Sequence, residues 1–217
     1  MNYFLTIFLL TSSLFLATVP SFGNIADLIT QTLETRNCSG CVLVEASFPF
    51  ADLRGADLSG AKLVGADFRA ADLRDVNFKN ADLRGATFQG ARMDGVNLEG
   101  VSLVGLDLSG IDLPNAKFVN ADLTDVDFTG SVLTSSDFTG AKLFRTNLSS
   151  TNLLAVTFDD AVLHNVNADY ADLRYARFQG AKIRGCSFYE ALMQYSTGIV
   201  LLKSGSNRDE RYMIPHS

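Results

Sequence analysis

Few side chains in this 217-residue sequence are placed to do chemistry. Cys38 and Cys41 stand three apart in Cys38-Ser39-Gly40-Cys41, a spacing that permits a disulfide or a redox pair. A thioredoxin-like pair wants a neighbouring βαβ pattern, which the sequence lacks, so a local staple or two plain thiols remain. The same two sulfurs cannot make a zinc site without further ligands, and His164 and His216 are the two histidines available. Asp52 and Asp72 are placed to stack and share a cation, but Arg54 and Arg74 lie beside them and can neutralise them without metal. There is no nucleophile elbow, no phosphate-cradling glycine loop and no paired-histidine motif. No catalytic, cofactor-binding or metal-binding residue is therefore assigned.

What must position these groups is bounded by composition. A formal net charge of -6 and a pI near 4.8 exclude a nucleic-acid binder that relies on a basic face. Hydrophobic residues make up 47% of the chain, enough for a sizeable core. Residues 1–23 open on an uncharged apolar run and end in Ser21-Phe22-Gly23, which reads as a signal peptide cleaved after Gly23. Left uncleaved, that segment would anchor the chain to a membrane, the one membrane contact expected. Either outcome places the remainder outside the cytoplasm.

From Leu43 to Met193 a large apolar residue recurs every five positions without insertion or deletion, Ala168 being the one small exception among 31 centres. Two residues before each centre lies a smaller partner, most often Ala, as at Ala46, Ala51 and Ala56. A period of five fits neither an α-helix nor an alternating strand, whereas residues two apart share one side of a short extended segment. The chain then turns on the two residues after each centre. All 13 glycines of residues 41–195 and seven Asn or Asp occupy the second turn position, which a type II turn needs at positive φ. The remaining 11, including Phe50, Arg145 and Tyr170, are expected to use turns that keep φ negative.

The phenylalanines count the sides. Sorted by twenty, all ten centre Phe fall in two opposite series, that of Phe48 and Phe68 and that of Phe78 and Phe118. Four sides per coil follow, with rings stacked along the axis. Residues 96–115 carry larger partners, Val96, Val101, Leu106 and Ile111, and no Phe centre, so the interior is expected to conserve volume coil by coil. Asn24 can cap a helix whose Ile25, Leu28, Ile29 and Leu33 would cover the N-terminal end. Residues 199–202 could cap the other end or pair with a second molecule, and the polar tail beyond is expected to be mobile.

With Ala-Asp-Leu-Arg-Gly and Ala-Asp-Leu-Ser-Gly patterns unbroken over residues 41–195, the chain resembles the pentapeptide-repeat family. The resemblance implies an all-β solenoid, a right-handed quadrilateral β-helix, here of about eight coils behind a short N-terminal capping helix. The chain divides into residues 1–23 (signal peptide), 24–40 (capping helix and Cys loop), 41–195 (β-helix) and 196–217 (C-terminal cap and tail). The stretch LETRNCSGCVLVEASF also resembles the solenoid entry of exported cyanobacterial members of the periplasm or thylakoid lumen. The expected role is a non-catalytic scaffold for protein–protein interaction or rigid spacing, with a protein partner whose identity is not encoded. Its surface is read as Val44, Val64, Val104 and Phe144 on one face plus Tyr189 and Tyr195 at the C-terminal end, where a homodimer could also form. The resemblance implies an alternative, DNA mimicry that inhibits or protects a type II topoisomerase. Against it, the face of Asp67, Asp107, Asp127, Asp169 and Glu190 is acidic while its neighbour, with Lys62, Arg84, Lys142 and Arg184, is basic. Cys186 is expected to be a buried free thiol, and His164 a solvated turn residue.

Overall fold

The structure, a computed structural model, describes residues 24–199. The expectations for residues 1–23 and 200–217 lie outside the described residues. Within them the chain winds as a right-handed quadrilateral β-helix behind one helix, α1 (Ile25–Thr35). Twenty residues complete one circuit: Asp52 pairs in parallel with Asp72, Asp72 with Arg92, and Asn147 with Asn167. In the C-terminal coils the pairing lengthens into three strands, β1 (Lys142–Phe144), β2 (Val162–His164) and β3 (Lys182–Arg184). They stack in parallel in the order β1-β2-β3.

Most corners are turns closed by the N–H of the next partner on the carbonyl of the preceding centre, as Ala46 N–H to Leu43 O at 3.1 Å. All 31 second turn positions have positive φ, from 52° at Glu190 to 73° at Gly180. This corrects the expectation of negative φ at the 11 unfavourable residues: Phe50 sits at 59°, Arg145 at 56° and Tyr170 at 60°. The reason is the ladder between coils. The turn N–H must reach the carbonyl of the next coil, Phe50 N–H to Arg69 O at 2.9 Å, and that geometry is fixed by the coil above rather than by the local side chain. An L-residue held left-handed costs about 1 kcal/mol, which the ladder bonds offset.

The interior is solid. Every centre from Leu43 to Phe188 is buried, Ala168 included. Phe48, Phe68 and Phe88 form one column with centroids 5.4 Å apart, and Phe118, Phe138, Phe158 and Phe178 form the opposite one. The columns meet edge-on across the bore, Phe68 with Phe78 at 5.6 Å and Phe118 with Phe128 at 5.7 Å. Four partner slots hold hydroxyls, Ser131, Ser136, Thr146 and Thr151, each donating to the carbonyl of a centre in the coil before, as Thr151 Oγ1 to Phe128 O at 2.9 Å.

At the N-terminal end Asn24 Oδ1 accepts from Ala26 N–H at 3.3 Å and caps α1 as expected. The covering face is narrower than expected. Leu28, Ile29 and the fully buried Thr32 face the coil, while Ile25 and Leu33 are exposed. Thr32 is tolerated there because its hydroxyl is satisfied by Leu28 O at 2.7 Å. The ladder begins one unit before the expected start, with Asn37 paired to Asp57, Cys38 buried as a centre and Gly40 at a left-handed corner.

Candidate functional site

With the bore filled, the side chains able to meet a partner are those on the outer slots, one residue before and two after each centre. The slot before the centre is typically Asp or Asn, and its oxygen accepts the N–H two residues on, as Asp67 Oδ1 from Arg69 N–H at 3.0 Å. Where an Arg follows, it closes a two-pronged fork on the same carboxylate: Arg54 on Asp52, Arg69 on Asp67, Arg74 on Asp72, Arg84 on Asp82 and Arg174 on Asp172. The Arg69 guanidinium holds the Asp67 carboxyl down at about 2, and Arg54 and Arg36 hold Asp52 well below the usual carboxylate range. At two slots that lack Asp or Asn, those of Arg177 and Ser187, the coil below supplies one. Asp159 accepts Gln179 N–H at 2.9 Å and Asp169 accepts Tyr189 N–H at 2.8 Å.

Asp52 and Asp72 do stack as paired residues of adjacent coils, and Arg54 bridges them, 2.8 Å from Asp52 and 3.8 Å from Asp72. Arg36, Arg54 and Arg74 line an open cleft of about 420 Å³ with Gly55 and Asp75. Among the described residues no group of three His, Cys, Asp or Glu is arranged to hold a metal ion. Cys38 and Cys41 are joined in a disulfide across the first described corner. Cys186 is a buried free thiol, and burial pushes its ionisation up.

The expected partner surface divides in two. Val44 and Val104 are exposed and Val64 half-buried, but Arg84 interrupts the line and ties itself to Asp82. Phe144 is half-buried, with the His164 ring edge-on at 5.7 Å. His164 is thus a packing partner rather than the free-standing turn residue expected, because the register places it directly above Phe144. At the C-terminal end the last coils gather four tyrosines, as their sequence positions suggest. Tyr195 stacks on Tyr175 at 4.9 Å, and Tyr189 meets Tyr170 edge-on at 5.6 Å. Leu192, 45% exposed in a slot that is polar in most other coils, adds to this surface and was not singled out from sequence. Its signal was available: an apolar residue where Asp or Asn is the rule.

A family model described as pentapeptide repeats matches repeatedly, over residues 37–60, 51–90, 61–100, 91–130, 115–149, 141–174 and 151–189. The chain is a pentapeptide-repeat protein. Among solved structures it is similar to HetL, a pentapeptide repeat protein involved in heterocyst differentiation regulation from the cyanobacterium Nostoc sp. Strain PCC 7120. That likeness has 31% identity and a TM-score of 0.59, and covers 72% of this chain and 73% of HetL. A pentapeptide repeat protein from the Arabidopsis thaliana thylakoid lumen is 24% identical over 43% of this chain and 68% of its own, with a TM-score of 0.29. Rfr23 from the cyanobacterium Cyanothece 51142 is 15% identical over 80% of this chain and 98% of its own, with a TM-score of 0.41. No match was found among curated proteins. The pentapeptide repeat explains why the acidic slots are structural first: an Asp that satisfies a turn N–H is needed at a corner whether or not any partner docks.

Proposed function

We propose that this pentapeptide-repeat protein is an exported, non-catalytic scaffold that presents evenly spaced outer side chains to a protein partner. The observation that carries this reading is the filled bore: aromatic and aliphatic side chains occupy the axis from Leu43 to Phe188, so recognition falls to the four outer faces. The C-terminal aromatic group favours its own end of the rod. Tyr170, Tyr175 and Tyr195 hold the left-handed turn slot at φ of 60–63°, a conformation costly for an aromatic residue, and each remains more than half exposed. The uncharged leader supports export to a periplasm or thylakoid lumen.

The test uses the full-length chain with a C-terminal tag. Fractionation is expected to find it outside the cytosol with its N-terminus at Asn24. Crosslinking in that compartment is expected to give a discrete protein adduct that Tyr170→Ser with Tyr175→Ser abolishes. Retention in the cytosol with Met1 intact would overturn export. Stoichiometric protection of DNA gyrase in a supercoiling assay would overturn the scaffold reading in favour of DNA mimicry.

A further inference from the structure

One pair of neighbouring coils departs from the ladder. In most coils the centre N–H donates to the carbonyl of the coil above, Phe68 to Thr87 O at 2.9 Å and Leu103 to Asp122 O at 2.9 Å. Between residues 85–90 and 104–112 these bonds lapse. Among the described residues, Gly85, Phe88 and Gly90 find no such acceptor and the N–H groups of Asp107 and Asp112 do not reach the coil below, while Asp82 keeps a weakened pairing with Ser102 whose bonds fall outside ordinary hydrogen-bond geometry. The pairings Thr87 with Asp107 and Arg92 with Asp112 are correspondingly absent. The gap is a wedge. On one edge Asn97 stays paired with Lys117, with Leu98 N–H to Lys117 O at 2.8 Å and Lys117 N–H to Val96 O at 2.9 Å. Beside that edge Met93 N–H reaches Asp112 O at a stretched 3.3 Å.

The sequence around the wedge explains it. Leu106 and Ile111 fill partner slots directly above Ala86 and Ala91, and their extra carbons prop the upper coil away. These four residues are 4–7% exposed, whereas partners elsewhere are typically at 0–1%. Six successive corners, Gly85 to Gly110, are glycine, so the backbone here turns without the strain borne at other corners. The bore also lacks Phe between Phe88 and Phe118, so no ring column bridges the two coils. Volume is therefore not simply conserved, as the sequence suggested: the larger partners fill the bore and open the ladder.

We propose that the wedge is a hinge, where two Phe-filled blocks pivot about the Asn97–Lys117 edge and alter the curvature of the faces a partner would meet. Hinges absorb motion at a few permissive residues between rigid bodies. The experiment is amide hydrogen exchange on the intact chain, combined with spin-label distances. Phe88, Gly90 and Asp107 are expected to exchange at least 100-fold faster than Phe68 and Phe128, with Leu98 and Lys117 as slow as the latter. Labels at Arg69→Cys and Ser149→Cys, on an open face, are expected to give a broader distance distribution than labels at Ser59→Cys and Thr139→Cys on the pivot face. Leu106→Ala with Leu108→Phe conserves the side-chain carbons and restores the composition of other coils; it is expected to slow exchange at Phe88 at least tenfold. Equal protection of Phe88 and Phe68 in the unmodified chain, or equal label distributions on the two faces, would overturn the hinge, whether or not the double variant folds.

Discussion

Gly130 and Gly140 occupy corners on opposite sides of the coil with nearly the same backbone, φ 68° and 67°, yet an added methyl would meet different surroundings. At Gly130 nothing lies within 4 Å of the new Cβ. At Gly140 the new atom would sit inside contact distance of Asn120 Oδ1, with Cγ at 3.5 Å, because the Asn120 side chain leans over the glycine of the next coil. The same arrangement recurs at Asp75 below Gly95 and Asn165 below Gly185. The backbone cost of Gly→Ala at positive φ is about 1 kcal/mol, partly offset by a stiffer unfolded chain, and applies to both sites. Ala70 and Ala155 already hold this conformation at 56° and 57°, so the main chain accepts the substitution. Gly140→Ala must also turn the exposed Asn120 side chain aside, adding a further ~0.5–1.5 kcal/mol. Chemical denaturation is therefore expected to give a loss of about 0.5–1 kcal/mol for Gly130→Ala and about 1–2.5 kcal/mol for Gly140→Ala. In an Asn120→Gly background the Gly140→Ala loss should fall to that of Gly130→Ala. Equal losses for the two single variants, or a coupling within about 0.5 kcal/mol of zero, would refute the reasoning.

Three further outcomes follow from the same geometry. Thr151→Val keeps the branched shape but removes the bond to Phe128 O, so the unfolding free energy should drop by about 0.5–1.5 kcal/mol in a denaturant titration. Asp67 ionises lower folded than unfolded, so its stabilising contribution is complete above about pH 5 and is lost as pH falls through about 4 toward 2. An acid titration of Asp67→Asn should accordingly lose less stability across that window than the unmodified chain. Removing the Cys38–Cys41 bridge with Cys41→Ala should weaken the first coil by about 2 kcal/mol, read as faster exchange at the Leu43 amide with no change at Phe158.

The period of five and the segregation of Phe made the square cross-section legible, because both are one-dimensional records of a repeating interior. The corner conformations were only partly so. At Phe50, Arg145 and Tyr170 local preference pointed to negative φ, but the ladder to the next coil overrides it. The inward face of α1 was misjudged for a related reason: an 11-residue helix lying across a narrow end buries a strip around Thr32, not its whole apolar stripe. The C-terminal aromatic surface was legible once the twenty-residue circuit was counted, since that circuit stacks Tyr195 on Tyr175, whereas the edge-on meeting of Tyr170 with Tyr189 lies off that register and needed the fold. Larger partners at Leu106 and Ile111 were visible in the sequence, but their effect on hydrogen bonding belongs to the contact between two coils.

The twenty-residue circuit is tested most directly by engineered cysteine pairs. Parallel neighbours lie about 4.8 Å apart, within disulfide reach. Asp137→Cys with Thr157→Cys, which occupy paired positions of adjacent coils, is expected to crosslink fully under mild oxidation, whereas Asp137→Cys with Asn152→Cys, on the neighbouring side, is expected to stay reduced. Crosslinking of the second pair in preference to the first would contradict a four-sided coil.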